Sequence, residues 1–163
     1  YPYPHQGTWR QRMKIKLLSL GIAVIVGVLL AGYGSFHFAI YKHNREKLST
    51  MGTNQATFET FIKRIHQETP YTVYITSGYR STEHQKRLYK QNSKNAKPGS
   101  SPHEYKRAID INLLSVKGHI RKRDSKETWM NTDAPSIEVE IGLCWGRSFK
   151  NYHAPVHFEV RKR

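Results

Sequence analysis

The chain has 163 residues, of which 37% are hydrophobic and 24% charged. That is room for one ordinary domain and a short appendage, and the balance excludes a wholly disordered chain. With 27 Lys+Arg against 12 Asp+Glu the net charge is +15, so anionic partners are favoured: nucleic acid, anionic lipid or an acidic wall polymer. The single cysteine, Cys144, excludes an internal disulfide and a Cys-rich zinc module. Any metal must then be held by His, Asp and Glu.

Residues 1–16 form an N-terminal tail. Within it, 1–12 read as a non-native extension before a plausible start at Met13. Leu17 to Tyr41 contains no Asp, Glu, Lys or Arg. A bilayer crossing needs about 20 apolar residues, so 17–41 reads as a transmembrane anchor. A buried soluble helix of this length would show a polar face. A cleaved signal peptide is the closer rival, with Met13-Lys14-Ile15-Lys16 as its charged start, but no A-x-A site follows. Arg10, Arg12, Lys14 and Lys16 precede the span and Lys42, Arg45 and Lys47 follow it. The positive-inside rule therefore leans only slightly toward an inside N-terminus. The expectation is a single-pass membrane protein whose domain lies on the periplasmic or extracellular side. Residues 42–54 read as a linker and 55–163 as the soluble domain. From Leu48 onward there are 20 Lys/Arg and 11 Asp/Glu, a net +9.

In the domain, Phe58, Phe61, Ile62 and Ile65 recur at helical spacing and Pro70 ends the helix. Thr72 to Thr76 reads as a strand. A second helix starts at Ser81 or Thr82, with Gln85 placed for a capping box, and runs to about Gln91. Asn92 to Pro102 is a polar loop. Ala108 to Asn112 alternates as a strand. Gly118 to Asn131 is basic and reads as a surface insertion or long loop. A third helix follows Asp133, with Ile137 and Ile141 inward and Gly142 as its stop. Val156 to Val160 is the last strand. Without regular βαβ periods, this predicts an α+β domain: a small, mainly antiparallel sheet packed with helices and preceded by one transmembrane helix.

In the last strand Val156, Phe158 and Val160 face one way, and His157 and Glu159 the other. Asp110 stands likewise between Ile109 and Ile111, and His103 lies seven residues before it. Two imidazoles and a carboxylate on or beside strands make a facial ligand set that leaves a fourth position open, as a catalytic zinc needs. On spacing alone the set competes with an ordinary surface role, since the chain has 9 histidines.

Ser77-Gly78-Tyr79-Arg80-Ser81, Ser101-Pro102-His103 through Ala108-Ile109-Asp110, Trp145-Gly146 and Pro155-Val156-His157-Phe158-Glu159 together resemble the peptidase M15 family. Its patterns are SGYRS, SxHxxGxAxD and DxxHFE. That family comprises zinc D-alanyl-D-alanine carboxypeptidases and L-alanyl-D-glutamate endopeptidases, including endolysins, and the resemblance runs from about Phe58 to Val160. It implies His103, Asp110 and His157 as zinc ligands and Arg80 as the group that holds a substrate carboxylate or oxyanion. It also implies Ser101 as a serine that orders the substrate-binding loop. Arg80 has a structural salt bridge as its alternative role, and Ser101 a plain turn.

Three positions depart from the family. The general-base carboxylate, three residues before the last ligand, is here Ala154, whose methyl cannot take a proton. General-base assistance is worth about 10²–10⁴-fold. Lys106 replaces a glycine; if that position needs φ > 0 the turn is strained, and the ammonium would enter the site. Arg147 replaces a second glycine after Trp145-Gly146. His153 and Glu159 are the substitute bases to test. The resemblance thus implies a zinc metallopeptidase-like domain acting on peptidoglycan stem peptides. Its alternative is an inactive M15-like module that binds murein or a partner. The basic runs Arg121-Lys122-Arg123 and Arg161-Lys162-Arg163 come with no helix-turn-helix or RNA-binding motif, so no specific nucleic-acid partner is expected. Cys144 is expected in packed core; Trp145 and Tyr152 belong to core or cleft.

Overall fold

A computed structural model describes residues 6–146 and 154–161. Arg147, Tyr152 and His153 lie outside them. The chain divides after Tyr41 into two units, each taken by itself.

The first unit is helical. It holds most of α1 (Gln6–Leu48), the one helix among the described residues long and apolar enough to cross a membrane. Its apolar stretch is exposed on all sides, with Leu18, Val24, Ile25, Val28, Leu29 and Leu30 all more than half accessible. By length and composition it is a candidate membrane span.

The second unit begins at Lys42. Residues 42–54, expected as a linker, here form the last helical residues of α1 and a 3₁₀ turn, Gly52–Asn54. They supply Leu48 and Met51 to the core. Asn44 is buried and its side-chain amide reaches the backbone of β1 (Thr72–Ser77). Nδ2 donates to the Val73 carbonyl at 2.7 Å, and Oδ1 accepts from the Ile75 amide at 2.9 Å.

Helix α2 (Gln55–Glu68) buries Phe58, Phe61, Ile62 and Ile65, the face that the spacing predicts. α3 (Thr82–Gln91) is capped by Ser81, whose Oγ accepts from the His84 amide. Because Ser81 is the cap, Gln85 falls one position too late for a capping box. Its buried side chain instead donates to the Ala96 carbonyl at 2.8 Å and ties the following loop to the helix.

β2 (Ala108–Ser115), β3 (Gly118–Ile120), β4 (Leu143–Trp145) and β5 (His157–Val160) complete the sheet. Among the described residues it has five strands in the order β1-β2-β5-β4, with β3 beside β2, and every pairing is antiparallel. The expected α+β architecture is therefore present. Gly118 to Asn131 is not a surface loop. It contains β3 and α4 (Lys126–Met130), and the ring of Trp129 is fully buried. Elements of three and five residues are too short to show a period. α5 (Ala134–Ile141) ends at Gly142, whose φ of 80° suits glycine at a helix stop.

Phe158 sits at the centre of the core. Phe61, Trp145 and Trp129 surround it at ring-centroid distances of 4.8, 6.5 and 6.3 Å. Trp145 is core, and its Nε1 donates to the Pro155 carbonyl. Cys144 is not packed core: alternation along β4 turns it away, and its Sγ accepts from Arg161 Nε at 3.1 Å.

Candidate metal centre

The pairing of β2 with β5 sets Asp110 opposite His157 and Ile109 opposite Phe158. In each strand the neighbouring apolar side chain is buried in the core, so the polar one faces outward. His103 arrives from the loop after α3. That loop is shaped by Glu104, whose carboxylate accepts the Gly99 amide at 2.9 Å and the Ser101 amide at 3.1 Å. The amide of Arg80 then reaches the His103 carbonyl at 3.3 Å.

Three donor atoms converge. His103 Nε2 lies 3.2 Å from His157 Nδ1, His157 Nδ1 lies 3.0 Å from Asp110 Oδ1, and His103 Nε2 lies 3.2 Å from the same oxygen. Each residue also has an outer partner. His103 Nδ1 donates to the Gly78 carbonyl at 2.8 Å, which leaves the Nε2 lone pair directed at the cluster. The other ring nitrogen of His157, Nε2, meets Glu159 Oε2 at 3.1 Å. Asp110 Oδ2 accepts from Arg80 Nη2, and Arg80 Nε donates to Ser77 Oγ at 2.8 Å. Such partners fix tautomer and orientation around metals.

The cluster is electrostatically tense. Burial opposes ionisation of Asp110, but the adjacent imidazoles His103 and His157 outweigh it and hold the carboxyl well below the usual range. Burial also disfavours a charge on His157. There the hydrogen bonds to Asp110 and Glu159 win, and its pKa is pushed up to about 9. The donor triangle therefore calls for positive charge at its centre.

A divalent ion fits that demand. Tetrahedral zinc with ligand bonds of about 2.0–2.1 Å separates its ligand atoms by about 3.3–3.4 Å. The triangle here has edges of 3.0–3.2 Å. The donor set, two imidazoles and one carboxylate, suits zinc and leaves a coordination position open.

The cluster opens into a cavity of about 700 Å³, whose lining includes Arg80, Ser101, Asn112 and Ala154. Ser101 is buried, and its carbonyl accepts from the Glu104 amide. Arg80 does form the ion pair that was its alternative role, with Asp110. Those bonds occupy two of its three guanidinium nitrogens. Ala154 stands beside the cluster, and its carbonyl accepts the His157 amide at 3.0 Å. A side chain at Gly146 would place a Cβ 2.4 Å from that carbonyl, so only glycine allows this approach. Glu159, the substitute base to test, is held on the nitrogen of His157 that faces away from the donor triangle. Lys106 has φ of 57°, the left-handed conformation that makes lysine strained. Its ammonium does not enter the site. It lies 5.5 Å from the centroid of the Tyr79 ring, outside the cavity lining.

The fold and donor triangle define an α+β domain with a solvent-open, three-donor pocket. Residues 94–160 match a peptidase M15 family model described as D-alanyl-D-alanine carboxypeptidase. The peptidoglycan L-alanyl-D-glutamate endopeptidase CwlK of Bacillus subtilis (strain 168) is 30% identical over 102 residues. The alignment takes in 54% of this chain and 60% of the relative, so the chain spans about three-fifths of that protein's length. The crystal structure of the Serratia marcescens L-Ala D-Glu endopeptidase ChiX shares the fold. Its TM-score is 0.56 at 17% identity, over 73% of this chain and 86% of that one. The chain is thus similar in sequence to peptidase M15 over residues 94–160, and it shares the fold of ChiX.

Proposed function

We propose that the domain binds zinc through His103, Asp110 and His157 and uses the adjoining cavity to engage peptidoglycan stem peptides. Hydrolysis is held low by Ala154. The observation that carries the reading is the donor triangle with edges of 3.0–3.2 Å inside a sequence of M15 type. The relatives CwlK and ChiX, both named as L-alanyl-D-glutamate endopeptidases, support the substrate class.

Zinc, when bound, supplies a Lewis acid that polarises a carbonyl and acidifies water. The chain's own residues do the rest. Gly78 and Glu159 orient the two imidazoles. Arg80, braced by Ser77 and Asp110, has donors left to hold a peptide carboxylate or a developing oxyanion. Ser101 lines the same cavity. No group at position 154 takes the proton from attacking water, a deficit of about 10²–10⁴-fold in turnover.

Ala154 also favours a second reading: a murein-binding module that grips stem peptides without cutting them. The helix α1 supports an anchor that keeps the domain at a membrane, on its wall-facing side. The deciding experiment takes the full chain in detergent, measures zinc content, and incubates it with murein fragments as it stands and as Ala154→Asp. Slow cleavage by the unaltered chain and fast cleavage by the variant fit the peptidase reading. Binding with no cleavage by the unaltered chain fits the second. Absence of both zinc and murein binding overturns both.

A further inference from the structure

The basic run Arg121-Lys122-Arg123 has no role in the mechanism above, yet all three residues line the cavity that holds the donor triangle. Lys94, from the loop after α3, lines it as well. The path between run and cluster is short. β2 pairs with β3 so that Leu113 faces Ile120. One step on in the antiparallel direction stand Asn112 and Arg121, both at the cavity. Asn112 is two residues from Asp110 on the same side of β2, about 7 Å along the strand.

The run is held in a built turn. Asp124 Oδ2 accepts the Arg121 amide at 2.6 Å, and the Asp124 amide donates to the Arg121 carbonyl. The same carbonyl accepts Trp129 Nε1 at 3.0 Å, which pins the turn to a ring fully buried in the core. Asp124, the carboxylate nearest in sequence, is committed to this turn and does not line the cavity. Among the described residues, Lys94, Arg121 and Arg123 have no ion pair, and Asp110 is the one carboxylate of the lining. Lys94, Arg121 and Arg123 around one cavity whose one described carboxylate is already bound to Arg80 favour an anionic ligand.

We propose that Lys94, Arg121 and Arg123 form a carboxylate-recognising wall that selects stem peptides bearing a free carboxylate a few residues from the bond at the donor triangle, over their amidated counterparts. The assignment rests on the function proposed above and names the substrate class for that site. An extended peptide advances about 3.3–3.6 Å per residue. The span from cluster to wall, with the reach of an arginine, thus corresponds to roughly two to four residues of ligand. A peptide is favoured over a phosphate polymer because the wall shares a single cavity with the donor triangle.

The test uses the full chain in detergent, loaded with zinc, and two synthetic stem peptides that differ only in a free or amidated carboxylate. Binding is measured by calorimetry at low and physiological salt, with zinc content determined alongside. The free-acid peptide should bind roughly tenfold tighter, as two or three exposed charge pairs would give. Arg121→Gln with Arg123→Gln should bring the two affinities together while zinc content stays the same. Equal affinities in the unaltered chain, or a preference that survives the double variant, would overturn the wall and leave the zinc site standing. Loss of zinc and of both peptides in the unaltered chain would sink the underlying function and this proposal together. A single-stranded oligonucleotide that binds tighter than the free-acid peptide, and is released by the same variant, would reassign the wall to phosphate.

Discussion

Two stretches of the cavity wall a few residues apart have been treated differently. On β2 and β5 the polar side chains Asp110 and His157 are each tied to a partner. At the bend into β5, Ala154 presents a methyl to the same cavity. On the function proposed above, the first stretch would hold the ion and the second would lack the group that moves a proton. That reading expects grip and turnover to depend on different residues, which can be varied separately.

The sharpest way to break that contrast is on the gripping side. His103→Ala should take zinc from about one per chain to near none, because two remaining ligands do not hold a catalytic ion. Elemental analysis of the purified chain reads this directly. On the opposite face of β5, Phe158→Ala should cost about 3–5 kcal/mol of stability, the usual range for an aromatic removed from a core. Denaturant unfolding measures it, and a value below 1 kcal/mol would contradict the central place given to that ring. On the turnover side, Ala154→Asp should raise peptide release from murein fragments at least about 10²-fold with zinc content unchanged. Chromatography of the products would show it. A variant no faster than the parent would mean that the site lacks more than its proton acceptor.

Two smaller effects sharpen the picture away from the cluster. Burial raises the carboxyl of Glu138 to about 7, against opposition from the Trp145 amide and Arg161. Its Oε2 has no hydrogen-bond partner among the described residues. Between its ordinary value near 4.5 and about 7 the folded chain holds a proton that the unfolded chain has lost. Stability from this group is therefore full below 4.5 and gone above 7. Thermal melts at pH 5 and pH 8 should show that loss, and Glu138→Gln should flatten it. Lys106→Gly relieves a left-handed lysine at the expense of its contact with Tyr79. The two nearly offset, so a net gain of about 0.5 kcal/mol is expected from melting curves.

Much of this was legible in the chain itself. The helical spacing of Phe58, Phe61, Ile62 and Ile65 and the alternation around Asp110 and His157 are strong periodic signals, and both faces lie where those periods put them. The short elements carry no period, so β3, β4 and α4 were invisible, and with them the burial of Trp129. The approach of His103 to the two strands was not encoded in spacing either. It depends on a loop folded around Glu104, and only the joint order of the motifs pointed to it. The turn that brings Arg121 to the cavity is likewise a tertiary event: the basic triplet looks like any solvated run until Asp124 and Trp129 fix it.

The amide of Asn44 has a consequence of another kind. β1 is an outer strand of the sheet, and such a strand exposes unpaired backbone groups that can recruit a foreign chain. Asn44 occupies the Val73 carbonyl and the Ile75 amide as a neighbouring strand would. His43 lies flat against Tyr74, with its Nε2 at the Ile75 carbonyl. The border is thereby sealed from within, which guards copies of this domain against pairing edge to edge.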